Sequence, residues 1–184
     1  MTPAPLTPDD VTAAWRLAAE AHAGQRFPGT ELPYLVHISM VAGELSLALM
    51  QEPADDGLLS VLCAILHDAV EDTAVTTEQL AVRFGPAVAA GVDALTKRPF
   101  ATKAESMADS LQRIQAQPHA IWKVKLADRV TNLQRPPAHW SRAKAAAYLA
   151  EAETILQALG DASPTLAARL RARMAAYPAM MPDG

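Results

Sequence analysis

Apolar residues recur along this chain at three- and four-residue intervals, and no run of alternating Val, Ile and Thr of the kind that marks a strand interrupts them. With aromatics at 5%, the apolar positions are mostly Ala and Leu, and the pattern predicts an all-α domain. Thr7, followed by Pro8, Asp9 and Asp10, offers an oxygen cap, a first-turn proline and negative charge against the helix dipole. The first helix opens there and Gly24 ends it. A loop rich in Gly and Pro, GQRFPGTELPY, leads to a second helix from about His37 to Met50, and EPADDG separates that helix from a third ending near His67 and Asp68. The third is apolar on nearly every face, the mark of a central helix whose end could floor a pocket.

Downstream, Thr76 and Gln79 have capping-box spacing and open a short helix that Gly85 and Pro86 close. Further helices are predicted over Val88 to Leu95, Ala104 to Ala116, Ala120 to Leu133, Ser141 to Leu159 and Pro164 to Ala176, with a frayed tail, YPAMMPDG. No repeat or long linker divides the chain, so residues 1–184 read as one domain.

Composition narrows the classes. A chain of 184 residues buries roughly two thirds of its unfolded surface and needs no staples. The single cysteine, Cys63, lies in LLSVLCAIL, which excludes an internal disulfide and suggests packing in a reducing, cytoplasmic setting. No apolar stretch approaches eighteen residues, and MTPAPLTPDD lacks the regions of a signal peptide, so neither membrane span nor processing is expected. Twenty acidic against 16 basic residues give a net charge of -4, which argues against a general nucleic-acid binder. Nothing in helices so rich in alanine specifies an oligomeric state.

The candidate chemistry lies in four residues: His37 in YLVHIS, His67 and Asp68 in AILHDAVEDT, and Asp128 in KVKLADRVTNL. A histidine alone in an Ala-rich helix is ordinarily a hydrogen-bonded core or surface residue. Here, however, Asp68 closes an apolar helix and Asp128 follows Val124, Leu126 and Ala127, where an unpaired carboxylate is costly without a metal or a donor. Two imidazoles and two carboxylates suit Mn²⁺, Fe²⁺ or Zn²⁺ and leave positions open for water and substrate, with a single manganese ion the first choice. Glu71 and Asp72 follow Asp68 by three and four residues, and carboxylates beside a metal can orient its water or take its proton during attack on phosphorus.

YLVH, HDAVED and KLADRVTNL, in that order, resemble the HD-type hydrolase half of RelA/SpoT proteins and the stand-alone small alarmone hydrolases, over about residues 21–148. The resemblance implies an HD-domain helical bundle that hydrolyses the 3′-diphosphate of an alarmone nucleotide with Mn²⁺ and releases pyrophosphate. It makes His37, His67, Asp68 and Asp128 the metal ligands and Glu71 with Asp72 the water-activating pair. Asn132 matches the family's ribose-contacting asparagine, and Arg26 in GQRF its base-stacking arginine. Tyr34 takes the family's tyrosine position beside that pocket. Lys144 and Tyr148 in WSRAKAAAYL match residues that contact phosphates or sugar, and Lys103 in TKAE matches a phosphate-binding lysine. The length leaves no room for the synthetase and regulatory domains of the long bifunctional enzymes.

Three departures bear on the base pocket. Phe27 follows the stacking arginine where the family has a basic residue, Ile38 follows the first metal histidine in place of proline, and the GQRFPGTELPY loop is spaced differently. Guanine and adenine alarmones, and NADPH, therefore all remain candidate substrates. Two other readings stand beside this one: a different HD-type nucleotide phosphohydrolase, and a helical module that senses a nucleotide without cleaving it. His22, His119 and His139 pair with no second ligand at useful spacing, and the seven methionines and three tryptophans are scattered, as core residues are.

Overall fold

The computed structural model describes residues 5–52 and 56–182, so the middle of the expected EPADDG separator and the final two residues of the tail lie outside the described residues. The helices are α1 (Pro8–Ala21), α2 (Leu35–Gln51), α3 (Gly57–Leu66), α4 (Ala69–Asp72), α5 (Thr77–Phe84), α6 (Pro86–Leu95), α7 (Lys103–Gln115), α8 (His119–Asn132), α9 (Arg142–Leu159) and α10 (Pro164–Ala176). Among the described residues there is no strand, only an isolated bridge between Arg26 and Pro33. None of these helices is long and apolar enough to cross a membrane.

The termini follow local chemistry. The Thr7 amide donates to Asp10 Oδ2 at 2.7 Å in a capping box that opens α1, the Thr76 and Gln79 box forms as expected, and a third box, Thr102 with Glu105, opens α7. Gly85 joins α5 to α6 at φ +88°, a conformation that costs glycine nothing, and Pro86 then occupies the first turn of α6. Glu52, just past α2, accepts from Ser163 Oγ at 2.7 Å and the Thr165 amide at 2.6 Å, and so ties the start of α10 to the end of α2.

The core forms where α2, α3 and α8 pack on one another, with α1 and α6 against α3, and α9 and α10 against α8. Buried positions on α2 run His37, Ile38, Val41, Ala42, Leu45 and Ala48, a single stripe with helical period. α8 has no such stripe: from Val124 to Thr131 every residue is buried, including Lys125, Asp128 and Arg129. That burial forces each polar group there to find a partner inside the protein.

The third helix ends at Leu66, beside His67 and Asp68 as expected; both residues sit in the turn between α3 and α4, and Glu71 and Asp72 end a separate one-turn helix. One expectation is corrected. The tail is not frayed through its described length: Tyr177–Met180 forms a 3-10 turn, and Tyr177 is 1% exposed because the turn folds back onto the bundle.

Gly91 in α6 and Gly43 in α2 differ in surroundings. A Cβ at Gly91 would meet Ile121 Cδ1 at 2.5 Å and Cys63 Sγ at 2.8 Å, whereas one at Gly43 meets nothing within 4 Å. Urea unfolding should therefore show Gly91→Ala destabilised by roughly 1–3 kcal/mol through overpacking. Gly43→Ala should be more stable by about 0.5–1 kcal/mol, the ordinary gain in helix propensity.

Candidate metal centre

The three helices that form the core also bring the sequence-predicted ligands together. α2 supplies His37 near its first turn, the turn after α3 supplies His67 and Asp68, and α8 supplies Asp128. His37, His67 and Asp128 present ligand atoms that all lie within 4.8 Å of one another. The Asp68 Oδ2 atom adjoins both imidazoles, 2.9 Å from His67 Nε2 and 3.5 Å from His37 Nε2, and Asp128 Oδ1 lies 3.6 Å from His37 Nε2.

Hydrogen bonding fixes which atoms are free to ligate. His67 Nδ1 lies 2.8 Å from the Ala64 carbonyl, an acceptor only, so Nδ1 carries a proton and Nε2 is the atom aimed at the carboxylates. Nε2 is fully buried. At 2.9 Å from a carboxylate oxygen a bare Nε2 lone pair is repulsive, so either a proton or a metal cation must stand between them. The residues therefore fit a divalent metal, and a mixed set of two nitrogens and two oxygens is the donor set such an ion takes.

Groups around the cluster hold its carboxylates in place. Tyr34 Oη donates to Asp68 Oδ2 at 2.6 Å, Asn132 Nδ2 donates to Asp128 Oδ1 at 2.5 Å, and Lys125 Nζ lies 3.2 Å from Asp128 Oδ2. Burial opposes ionisation of Asp128, but Lys125, His67 and His37 outweigh it and hold the carboxyl down at about 2. Asp68 is likewise held well below the usual range by His67 and by bonds from His37 and Tyr34, against its burial. Burial and Asp68 together push the Tyr34 phenol far up, so it stays protonated and donates.

Glu71 and Asp72 stand at the rim of the same cavity in different states. Glu71 is pinned by Lys97, whose backbone amide and Nζ both reach the carboxylate at 2.8 Å. Lys97 is itself fixed by Arg113, whose guanidinium caps the Asp93, Ala94 and Thr96 carbonyls just before it. The Asp72 carboxyl is raised by burial and by its neighbours Asp68 and Glu71, which brings it closer to holding a proton.

The cavity has a volume of about 840 Å³ and takes in Tyr34, the four candidate ligands, Glu71, Asp72, Asn132 and Tyr148. Lys103 and Lys144 line an adjoining chamber that also includes Tyr148. Arg26 is exposed and does not line the cavity. Phe27 does, with its ring stacked on His37 at 5.5 Å between centroids. His22 bonds the loop that follows α1, with Nδ1 2.7 Å from Gln25 Oε1.

The sequence reading missed Lys97, Lys125, Arg129, Trp140, Tyr177 and Met180, all of which line one chamber or both. Lys125 lies one turn before Asp128 on α8, and helical spacing alone could have found it. Lys97 and Tyr177 are brought in only by the tertiary fold.

The metal-free cluster has a measurable proton signature. Burial lowers the affinity of His67 for a proton, but Asp68 and Asp128 overcome this and raise the group to about 9. A folded-state value above the ordinary 6.5 stabilises the protein below pH 6.5, and this stabilisation is lost as pH rises through 9. A metal entering near neutral pH must displace that proton. Calorimetric titration of Mn²⁺ in buffers of different ionisation enthalpy should show release of about one proton per ion; binding without proton release would contradict the assignment.

Comparison with known proteins agrees with this geometry. Residues 14–165 match the HD domain family. A GTP pyrophosphokinase of Myxococcus xanthus is 35% identical over 162 residues, which is 83% of this chain and 20% of that protein. A guanosine-3′,5′-bis(diphosphate) 3′-pyrophosphohydrolase of Haemophilus influenzae is 33% identical over 124 residues, 64% of this chain and 17% of that one. The chain thus spans about a fifth of the length of these long relatives. By contrast it spans 86% of MESH1 of Danio rerio, a guanosine-3′,5′-bis(diphosphate) 3′-pyrophosphohydrolase, at 31% identity over 84% of this chain. A solved structure described as a metazoan orthologue of SpoT that hydrolyses ppGpp superposes with a TM-score of 0.80, covering 94% of this chain and 97% of that one at 25% identity. The chain belongs to the HD-domain family, in the group formed by the RelA/SpoT-type hydrolases and the metazoan SpoT orthologue.

Proposed function

We propose that this chain is a manganese-dependent hydrolase that splits the 3′-diphosphate from an alarmone nucleotide of the (p)ppGpp or (p)ppApp type and releases pyrophosphate. The observation that carries the reading is the buried cluster of His37, His67, Asp68 and Asp128 flooring a cavity whose rim holds Glu71 and Asp72. The names of the Danio rerio relative and of the metazoan SpoT orthologue support the substrate class. We further take residues 1–184 to act as one domain, in the cytoplasm.

In this reading His37, His67, Asp68 and Asp128 hold one Mn²⁺, which when bound supplies a Lewis acid that acidifies water and offsets phosphate charge. Asp72, with its raised carboxyl, accepts the proton of the attacking water. Glu71, immobilised by Lys97, aims that water. The water oxygen forms a new bond to the phosphorus that bears the 3′ oxygen, the bond from that phosphorus to the 3′ oxygen breaks, and the 3′ oxygen takes up a proton. Tyr34 keeps Asp68 ionised and oriented from the side wall. By resemblance, Asn132 contacts the ribose, Lys103 a phosphate, and Lys144 and Tyr148 phosphates or sugar, while the aromatic face that the cavity offers the base is that of Phe27, the exposed Arg26 lying outside its lining.

Chelator-stripped protein, assayed with and without Mn²⁺, should release pyrophosphate from a 3′-diphosphate nucleotide only when metal is present. Release of orthophosphate alone, or no product with metal demonstrably bound, would contradict the reading. Asp68→Ala should lose bound metal and activity together. Glu71→Ala should retain metal while turnover falls by about 10²–10⁴, the usual contribution of a positioned acid or base.

A further inference from the structure

A single helical turn is too short to hold its own position, so α4, which carries Glu71 and Asp72, sits where its neighbours fix it. Lys97 fixes Glu71. The backbone of Asp72 is held by two residues that do not line the cavity, His22 and Gln25. Gln25 Nε2 donates to the Asp72 carbonyl at 2.8 Å, across 47 residues of sequence, and so caps a carbonyl that the end of the helix leaves free. With Nε2 engaged there, Gln25 turns Oε1 to His22, and His22 Nδ1 donates to it at 2.7 Å. The His22 ring is also stacked on Tyr34, with centroids 4.9 Å apart and planes at 24°, and Tyr34 is the donor to Asp68. Gly24, at φ +81°, lets the chain reverse after α1 so that Gln25 returns to His22. The Tyr34 amide then donates to the Gln25 carbonyl at 3.0 Å, which joins the two contacts into one unit.

Packing alone does not account for His22. It is 4% exposed, and its Nε2 is buried with no hydrogen-bond partner among the described residues, a loss that an apolar side chain of similar volume would avoid. What the imidazole supplies is a flat face for Tyr34 and, at the same time, a directed N–H for Gln25. We infer that His22 and Gln25 are positioning residues for hydrolysis, a clamp that sets Asp72 relative to the metal cluster. One arm, the stack on Tyr34, steadies the Asp68 end of the turn, and the other, the Gln25 amide, holds the Asp72 end. The Asp72 amide donates to the Asp68 carbonyl at 2.9 Å, so both arms act on one hydrogen-bonded turn. The inference rests on the proposed 3′-diphosphate hydrolysis, in which Asp72 accepts the proton of the attacking water. Loss of the clamp frees α4 to shift, while His37 and Asp128, carried by helices packed in the core, stay in place.

The test begins with Gln25→Met, which keeps the length of the side chain and removes the amide. In Mn²⁺-loaded protein kcat should fall about tenfold to a hundredfold, the effect of displacing a reacting group by ~1 Å, with KM and Mn²⁺ affinity within about twofold of the starting protein. His22→Leu should lose turnover in the same way. His22→Asn, whose side-chain N–H can stand in for Nδ1–H toward Gln25, should retain more of it than His22→Leu. In chelator-stripped Gln25→Met, amide hydrogen exchange should quicken over residues 69–73 and not in α3 or α8. An unchanged kcat, a change confined to KM, His22→Asn no better than His22→Leu, or exchange quickened throughout the bundle would overturn the inference. So would a loss of Mn²⁺ affinity in step with kcat, which would assign the residues to the metal site itself. Gln25 is half-buried, so its variant keeps the test valid even where His22→Leu fails to fold. Absence of manganese-dependent turnover in the unmodified protein would remove the hydrolase reading instead, and the clamp would then stand or fall on the exchange result alone.

Discussion

Two carboxylates and two imidazoles meet where α2, α3 and α8 converge, and their mutual charge governs what can surround them. Asp68 and Asp128 are both held ionised in a region where an ionised group has lost nearly all its water. They tolerate this because positive charge and directed donors reach them from every packed element: His37 from α2, Tyr34 from the turn before it, His67 from the end of α3, and Lys125 and Asn132 from α8. Without a cation the cluster must borrow a proton, and the rise of His67 to about 9 expresses that demand. A metal satisfies the same demand with greater charge.

The scaffold around the cluster is arranged to keep it rigid. Val41, Leu45, Leu62, Ile65, Leu66, Val124, Leu126 and Val130 are inaccessible to solvent, so the backbone segments that carry the four ligands are fixed by close packing. The functional rim is held by polar contacts instead. Arg113 caps the end of α6, Lys97 follows directly, and Lys97 grips Glu71 across 26 residues of sequence. An apolar core fixes the candidate metal cluster, and a relay of charges fixes the rim at Glu71.

Much of this was legible before the fold was known. Helical period gave the long helices, and the oxygen caps at Thr7 and Thr76 gave their starts, because both signals are local in the chain. The cluster of candidate ligands was legible for a different reason: carboxylates in apolar surroundings are expensive, and Asp68 and Asp128 advertise that expense in sequence. The end of the third helix near His67 was legible as well, whereas the separate one-turn helix over Ala69–Asp72 was not, since AILHDAVED has no glycine or proline to mark it. Nor was the docking of Tyr177, which is buried only because its turn folds back against α10. Phe27 shows the limit of motif transfer. The structure turns its ring onto His37 inside the cavity and leaves Arg26 exposed, so residues matched by sequence position do not necessarily share a pocket.

The central claim is that the buried imidazoles and carboxylates hold a metal ion as one unit, and the most direct measurement is pulsed electron paramagnetic resonance of protein loaded with Mn²⁺. The account predicts one ion per chain whose spectrum carries coupling to two imidazole nitrogens, with one of the two lost in His37→Gln and in His67→Gln. Manganese bound without nitrogen coupling, or coupling indifferent to both substitutions, would place the ion elsewhere and contradict the account.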